Sequence, residues 1–213
     1  NFFVDDIFIP GAPSECTYLE PELTLQKVLI KDNGGIATAA NWTLTASGPT
    51  SFSGSGPTVT SGPGFAAGTY NLSEAGPAGY TASGWVCVGG SQVDADTITL
   101  EFGEEATCTI TNDDIAPKLT LVKKVVNDNG GSAVPADWTL NAGGATPFSG
   151  SGPSVSSGPD FAAGAYQLTE SGPPGYAASA WVCVGGTQLN NSKVALALAE
   201  EATCTITNDD IDP

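Results

Sequence analysis

The twelve residues EEATCTITNDDI occur twice, letter for letter, at Glu104–Ile115 and at Glu200–Ile211. In the first copy Cys108, Ile110 and Asn112 fall on one side of a two-residue alternation, and Thr107, Thr109 and Thr111 on the other. That period marks a β-strand with one buried face. Asparagine is the odd member of the buried side, because a buried amide needs hydrogen-bond partners that a valine would not. Two aspartates follow, and a proline two residues past the isoleucine ends the strand in both copies. One stretch therefore carries a half-cystine candidate, a buried amide and a domain junction.

The repeat extends far beyond these residues. With an offset of 96 and no gap, about 60 of the 95 positions from Leu23 and from Leu119 onward are identical. A period near 100 residues means tandem globular domains and not a solenoid. The expected division is an N-terminal extension at 1–22, a first domain at 23–117 and a second at 118–213. The connection is so short that the domains should be stiffly coupled in line. Within each repeat, strand-like segments alternate with turn signals: LTLQK or LTLVK, then NGG, then NWTLTA or DWTLNA. A loop containing SFSGSGP or PFSGSGP comes next, then GTYNLSE or GAYQLTE, a GPAGY or GPPGY turn, WVCVGG, a more variable strand and the shared final strand. This pattern predicts an all-β chain of two Ig-like sandwiches with about seven strands each.

Composition narrows the function. The 213 residues carry a net charge of −17, with six lysines and no arginine or histidine. Phosphate contacts need clustered cations, so nucleic acid and anionic membrane surfaces are not expected partners. No apolar run is long enough to span a bilayer as a helix, so no membrane insertion is expected. The opening NFFVDDIFIP has no basic start and reads as a mature N-terminus. There is no nucleophile motif, phosphate loop or metal-ligand spacing, so an enzyme acting on an external substrate is not expected.

Cys87 shares a strand face with Trp85, and Cys108 shares one with Ile110; Cys183 and Cys204 repeat the arrangement. Both members point into a core and can pair inside one domain. Pairing Cys87 with Cys108 and Cys183 with Cys204 would add about 3 kcal/mol each and implies an oxidising compartment. Zinc is the rival reading, but no CxxC or histidine completes a site. Cys16 is left over, as a free or capped thiol or as a bond to another chain.

The same alternation aims three polar residues inward in each domain. Lys27 shares a face with Leu23 and Leu25, and Lys123 with Leu119 and Leu121. Glu74 follows Tyr70 and Leu72, Glu170 follows Tyr166 and Leu168, and Asn112 and Asn208 lie on the inward face of the final strands. Unpaired buried charge is costly, so the plain reading is a buried Lys–Glu ion pair capped by an amide.

An opening strand ending in Lys, a G-x-Y-x-L-x-E-x-x-P-x-G-Y block and a final strand ending in T-x-T-N together resemble the collagen-adhesin B-type repeat. This is the SpaA-like prealbumin-fold domain of bacterial surface adhesins and pilins. Gly68, Tyr70, Leu72, Glu74, Pro77, Gly79 and Tyr80 fit the block, and Gly164, Tyr166, Leu168, Glu170, Pro173, Gly175 and Tyr176 repeat it. The resemblance covers nearly all of both repeats and implies a prealbumin-type sandwich. It also implies spontaneous isopeptide bonds between Lys27 and Asn112, with Glu74 as catalyst, and between Lys123 and Asn208, with Glu170 as catalyst. The cysteine pairs depart from the family, whose crosslinked members commonly lack disulfides.

Two features remain. Asp113, Asp114, Asp209 and Asp210 lie at chain junctions, with Asp32 and Asp128 in the loops after the first strands. They form either a Ca²⁺ site or a solvated polar junction, although no calcium-loop spacing is present. In the N-terminal extension, Phe2, Val4, Ile7 and Ile9 make an apolar segment that is expected to pack into a neighbouring copy as a donated strand, with Cys16 near the contact. The expected function is a structural subunit or stalk module of an extracellular, cell-surface or secreted fibre, with copies of itself as partners. The alternative is an adhesin that binds a host or matrix ligand through the glycine- and serine-rich segments 47–64 and 143–160.

Overall fold

A computed structural model of the chain describes residues 19–212. Phe2, Val4, Ile7, Ile9 and Cys16 lie outside the described residues. The first domain has strands β1 (Glu22–Ile30), β2 (Thr43–Ser47), β3 (Phe52–Ser55), β4 (Thr58–Thr60), β5 (Gly68–Ala75), β6 (Tyr80–Ala82), β7 (Val86–Val88), β8 (Ser91–Gln92), β9 (Thr97–Leu100) and β10 (Glu105–Asp114). The second repeats them as β11 (Lys118–Val126), β12 (Thr139–Gly143), β13 (Phe148–Ser151), β14 (Ser154–Ser156), β15 (Gly164–Ser171), β16 (Tyr176–Ala178), β17 (Val182–Val184), β18 (Thr187–Asn190), β19 (Lys193–Leu196) and β20 (Glu201–Asp210). Ten strands per domain exceed the seven expected because segments of two to four residues also pair.

Each domain is a sandwich of two five-stranded sheets. In the first domain one sheet runs β4-β1-β10-β6, with β7 also on β10, and the other runs β3-β2-β5-β9-β8. The expected SFSGSGP loop is not a loop. It supplies β3 to one sheet, crosses at Gly56–Pro57 and supplies β4 to the other. Eight of the eighteen residues in each of the segments 47–64 and 143–160 are thus strand residues of the sandwich itself.

The alternation read from the sequence is the burial pattern of the strands. Leu23, Leu25, Leu44, Tyr70, Ile98, Leu100 and Cys108 are fully buried between the sheets. Each such apolar side chain contributes about 1.5–3 kcal/mol. Lys124, which has no counterpart in the first repeat, faces solvent. The two cysteine pairs are disulfides, Cys87–Cys108 and Cys183–Cys204. Each joins directly opposed residues of neighbouring antiparallel strands within one sheet.

The first and last strands of each domain run parallel, side by side. Leu25 lies opposite Cys108, Lys27 opposite Ile110 and Leu29 opposite Asn112. Leu121, Lys123 and Val125 face Cys204, Ile206 and Asn208 in the same register. Closing a domain with its two terminal strands places a residue of β1 and a residue of β10 on one inward face. Asp114 leads through Ile115, Ala116 and Pro117 directly into β11.

Candidate functional site

Lys27 on β1, Glu74 on β5 and Asn112 on β10 meet inside the first sandwich. Nζ of Lys27 donates to Oε2 of Glu74 at 2.5 Å, and Nδ2 of Asn112 donates to Oε1 of the same carboxylate at 2.7 Å. The lysine side chain is completely buried and that of Glu74 is 12% exposed. In the second domain Nζ of Lys123 donates to Oε2 of Glu170 at 2.6 Å, and buried Asn208 takes the place of Asn112. One carboxylate therefore bridges the first and last strands from the opposite sheet.

Burial pushes both lysine amines below their usual range, and the hydrogen bond and charge of the facing glutamate offset this only in part. The shift is toward the neutral amine, which is the nucleophilic form. Oδ1 of Asn112 and Oδ1 of Asn208 are buried without a hydrogen-bond partner among the described residues. A buried carbonyl left so costs about 1–3 kcal/mol. Turning the amide over presents Oδ1 to the glutamate, and a protonated glutamate can then donate to it. The arrangement thus holds an amine, a proton carrier and a carbonyl within one dry pocket.

Trp42 and Trp138 form a wall of this pocket that the sequence reading missed. Their rings lie 4.9 Å from Lys27 Nζ and 4.6 Å from Lys123 Nζ. Gly76 and Gly172 let the indoles sit there, since a Cβ on either would come 2.3 Å from the ring. Lys27 is held from behind by its own amide, which donates to Pro57 O at 2.8 Å. The NWT and DWT repeats and the GSGP crossover were the available signals.

One aspartate of each acidic junction has a role that neither expectation named, while Asp32, Asp113, Asp128 and Asp209 are exposed. Asp114 and Asp210 are not solvated; they are buried on the inward face of the final strands. Oδ1 of Asp114 accepts the amides of Asp32 (3.1 Å) and Asn33 (2.9 Å), and Oδ2 accepts that of Gly35 (2.5 Å). Asp210 accepts the amides of Asp128, Asn129 and Gly131. Burial alone would raise the Asp210 carboxyl, but the amides of Gly131, Asn129 and Asp128 hold it below its ordinary value. Carboxylate oxygens of Asp32, Asp113 and Asp114 do lie within 4.8 Å of one another, as do those of Asp128, Asp209 and Asp210. The buried member of each group, however, spends its oxygens on the turn of the NGG loop.

A family profile described as a prealbumin-like fold domain matches residues 20–110 and again 114–206. The chain belongs to the prealbumin-like fold domain family. Among solved structures it is similar to the Bacillus anthracis TIE protein, at 15% identity and a TM-score of 0.56 over 89% of this chain. The chain spans about a third of that protein, 34%. It is also similar to the Streptococcus pyogenes major pilin T3.2 (16% identity, TM-score 0.44, 89% of this chain and 98% of that one). The C-terminal fragment of pilus adhesin SpaC from Lactobacillus rhamnosus GG matches at 14% identity and a TM-score of 0.45, over 92% of this chain and 98% of the fragment. Such identities bear on fold alone. No protein of curated function matches the chain. Among the described residues no helix is long and apolar enough to cross a membrane.

Proposed function

We propose that this chain is a structural module of an extracellular fibre or surface stalk, in which each prealbumin-like domain closes itself with a Lys–Asn isopeptide bond. The observation that carries the reading is the buried set Lys27, Glu74 and Asn112 across the first and last strands, repeated as Lys123, Glu170 and Asn208. A catalyst for an outside substrate would need an open pocket, whereas this set is sealed inside each sandwich and can act once, on its own chain.

The chemistry is a transamidation. Neutral Lys27 Nζ attacks Cγ of Asn112, and the Nζ–Cγ bond forms. Glu74, as the acid, gives its proton to Oδ1 as that bond forms; the resulting carboxylate takes a proton from Nζ, passes it to Nδ2, and regains the Oδ1 proton when the carbonyl re-forms. The Cγ–Nδ2 bond breaks and ammonia leaves, so one primary amine and one primary amide become one secondary amide. Fixed positions in a folded core supply the effective concentration, and the Trp42 wall keeps water away.

Membership of the prealbumin-like family and the two disulfides support an extracellular structural role. The mechanical consequence follows from topology. Tension entering β1 and leaving β10 loads parallel neighbours in shear, and a Lys27–Asn112 bond carries that load covalently. Head-to-tail joining of copies through Phe2–Ile9, with Cys16 near the contact, is part of the proposal, and deletion of residues 1–15 should reduce assembly while leaving both domains folded. Peptide mapping tests the crosslink. A branched peptide joining the Lys27 and Asn112 segments is expected, and linear peptides carrying free Lys27 and Asn112 would contradict it.

A further inference from the structure

The two domains enclose an apolar groove of about 880 Å³ where they meet. Gly34, Ile36, Ala37 and Tyr80 wall it from the first domain, and Ala163 and Leu198 from the second. Both walls are held in place by contacts between the domains. The Ala163 amide donates to Asn33 O at 2.8 Å, the Ala199 amide donates to Ile115 O at 2.9 Å, and Gly79 packs on Leu198.

Ile36 on the lip of this groove is 93% exposed, more than any other large apolar side chain among the described residues. Its counterpart 96 residues on is Ser132. Two neighbouring positions depart from the repeat in charge. Lys31 stands where the second domain has Asn127, and Asn41, which also lines the groove, stands where it has Asp137. Lys31 Nζ donates to Ala37 O at 3.1 Å and makes no ion pair among the described residues. The groove surface is therefore more apolar than its copy and less negative by two charges, one at each of those positions. The first ten residues, NFFVDDIFIP, are its complement: Phe2, Phe3, Val4, Ile7, Phe8 and Ile9 flank Asp5 and Asp6, with no cation among them.

The point at which this segment leaves the fold selects whose groove it enters. Leu19 lies against Gly103, and Oε2 of Glu20 accepts the Gly64 amide at 2.7 Å. Both contacts are at the end of the first domain opposite the groove. The two ends are separated by the nine residues of β1, about 30 Å. Residues 10–18 reach about 30 Å only when fully extended, so the chain's own groove is at the limit of their reach. A second copy can approach from the side.

We propose that Phe2–Ile9 seats in the interdomain groove of a second copy of this chain, with its apolar side chains on Ile36, Tyr80 and Leu198 and with Asp5 and Asp6 at Lys31. The proposal rests on the fibre reading above and gives the N-terminal segment its acceptor. Apolar burial carries the affinity. The Lys31 contact, exposed at the rim, contributes little and fixes the direction of the segment. Donor and acceptor are different surfaces, so each copy gives one segment and receives another. Such a contact is heterologous and extends into a filament unless its rotation closes a ring.

Sedimentation equilibrium of the full chain at rising concentration tests this. Ile36→Asp, at an exposed position, should weaken self-association by at least about tenfold. Ser132→Asp adds the same charge at the matching exposed position of the second domain and should leave association unchanged. Deletion of residues 1–15 should weaken association as much as Ile36→Asp does. An equimolar mixture of the deletion variant and Ile36→Asp should recover a dimer and nothing larger, because one keeps the groove and the other keeps the segment. Phe2→Asp combined with Phe8→Asp serves in place of the deletion if that variant melts early. Association that the deletion abolishes and Ile36→Asp leaves intact overturns the groove but not the donated segment. Association that neither change weakens, or a chain monomeric throughout, overturns both.

Discussion

Replacing Asn112 with Ala removes the electrophile while leaving the Lys27–Glu74 ion pair in place, and the consequence under load can be worked from the fold. Tension on the first domain enters at Glu22 on β1 and leaves at Asp114 on β10. With Lys27 bonded to Asn112, the 85 residue steps between them never come under tension, and the domain does not lengthen. Without that bond the domain can unravel, except where Cys87–Cys108 still spans 21 steps. The remaining 64 steps, at about 3.5 Å each, release about 220 Å of chain. Reduction of the disulfide restores all 85 and raises the release to about 300 Å. Single-molecule stretching of the two-domain chain reads these lengths directly. Wild type should show no unfolding step from either domain, and Asn112→Ala should show one step, which lengthens with reductant. Two full-length steps in the wild type, identical to those of the variant, would refute the reasoning.

Two further substitutions probe the surroundings of the site. Gly76→Ala places a Cβ 2.3 Å from Cδ1 of Trp42; displacing that wall should cost about 1–3 kcal/mol and leave a fraction of the first domain uncrosslinked, seen by calorimetry and by peptide mapping. Asp210→Asn should lower the stability of the second domain at neutral pH, because an amide nitrogen would face backbone donors. A carboxyl depressed in the fold contributes stability above its unfolded pKa, near 3.8, and loses it as pH falls through the lower folded value. The melting temperature of the wild-type second domain should therefore drop on acidification through that window, and that of Asp210→Asn should drop less.

The strand faces were legible because burial follows a period of two, and the repeat allowed each reading to be checked against its copy. Lys27, Glu74 and Asn112 were placed correctly on inward faces for that reason alone. The same alternation continued one step past Asn112 reaches Asp114, yet a run of two aspartates before a proline reads as a solvated end. What sequence hides is the set of amides that satisfies the carboxylate, which comes from a loop about 80 residues away in the chain. Nothing local to NWTLTA shows that the Trp42 ring faces an ammonium. The SGSGP stretch looked like a loop because glycine and serine carry weak strand propensity. Its pairing comes from the two sheets it joins.

The central claim is that each domain forms its own amide bond, and intact mass under reducing conditions tests it most directly. The reduced wild-type chain should fall short of its sequence mass by two ammonia molecules. Glu74→Ala or Glu170→Ala should each restore one, and the double variant both. A reduced wild-type chain at full sequence mass would contradict the account.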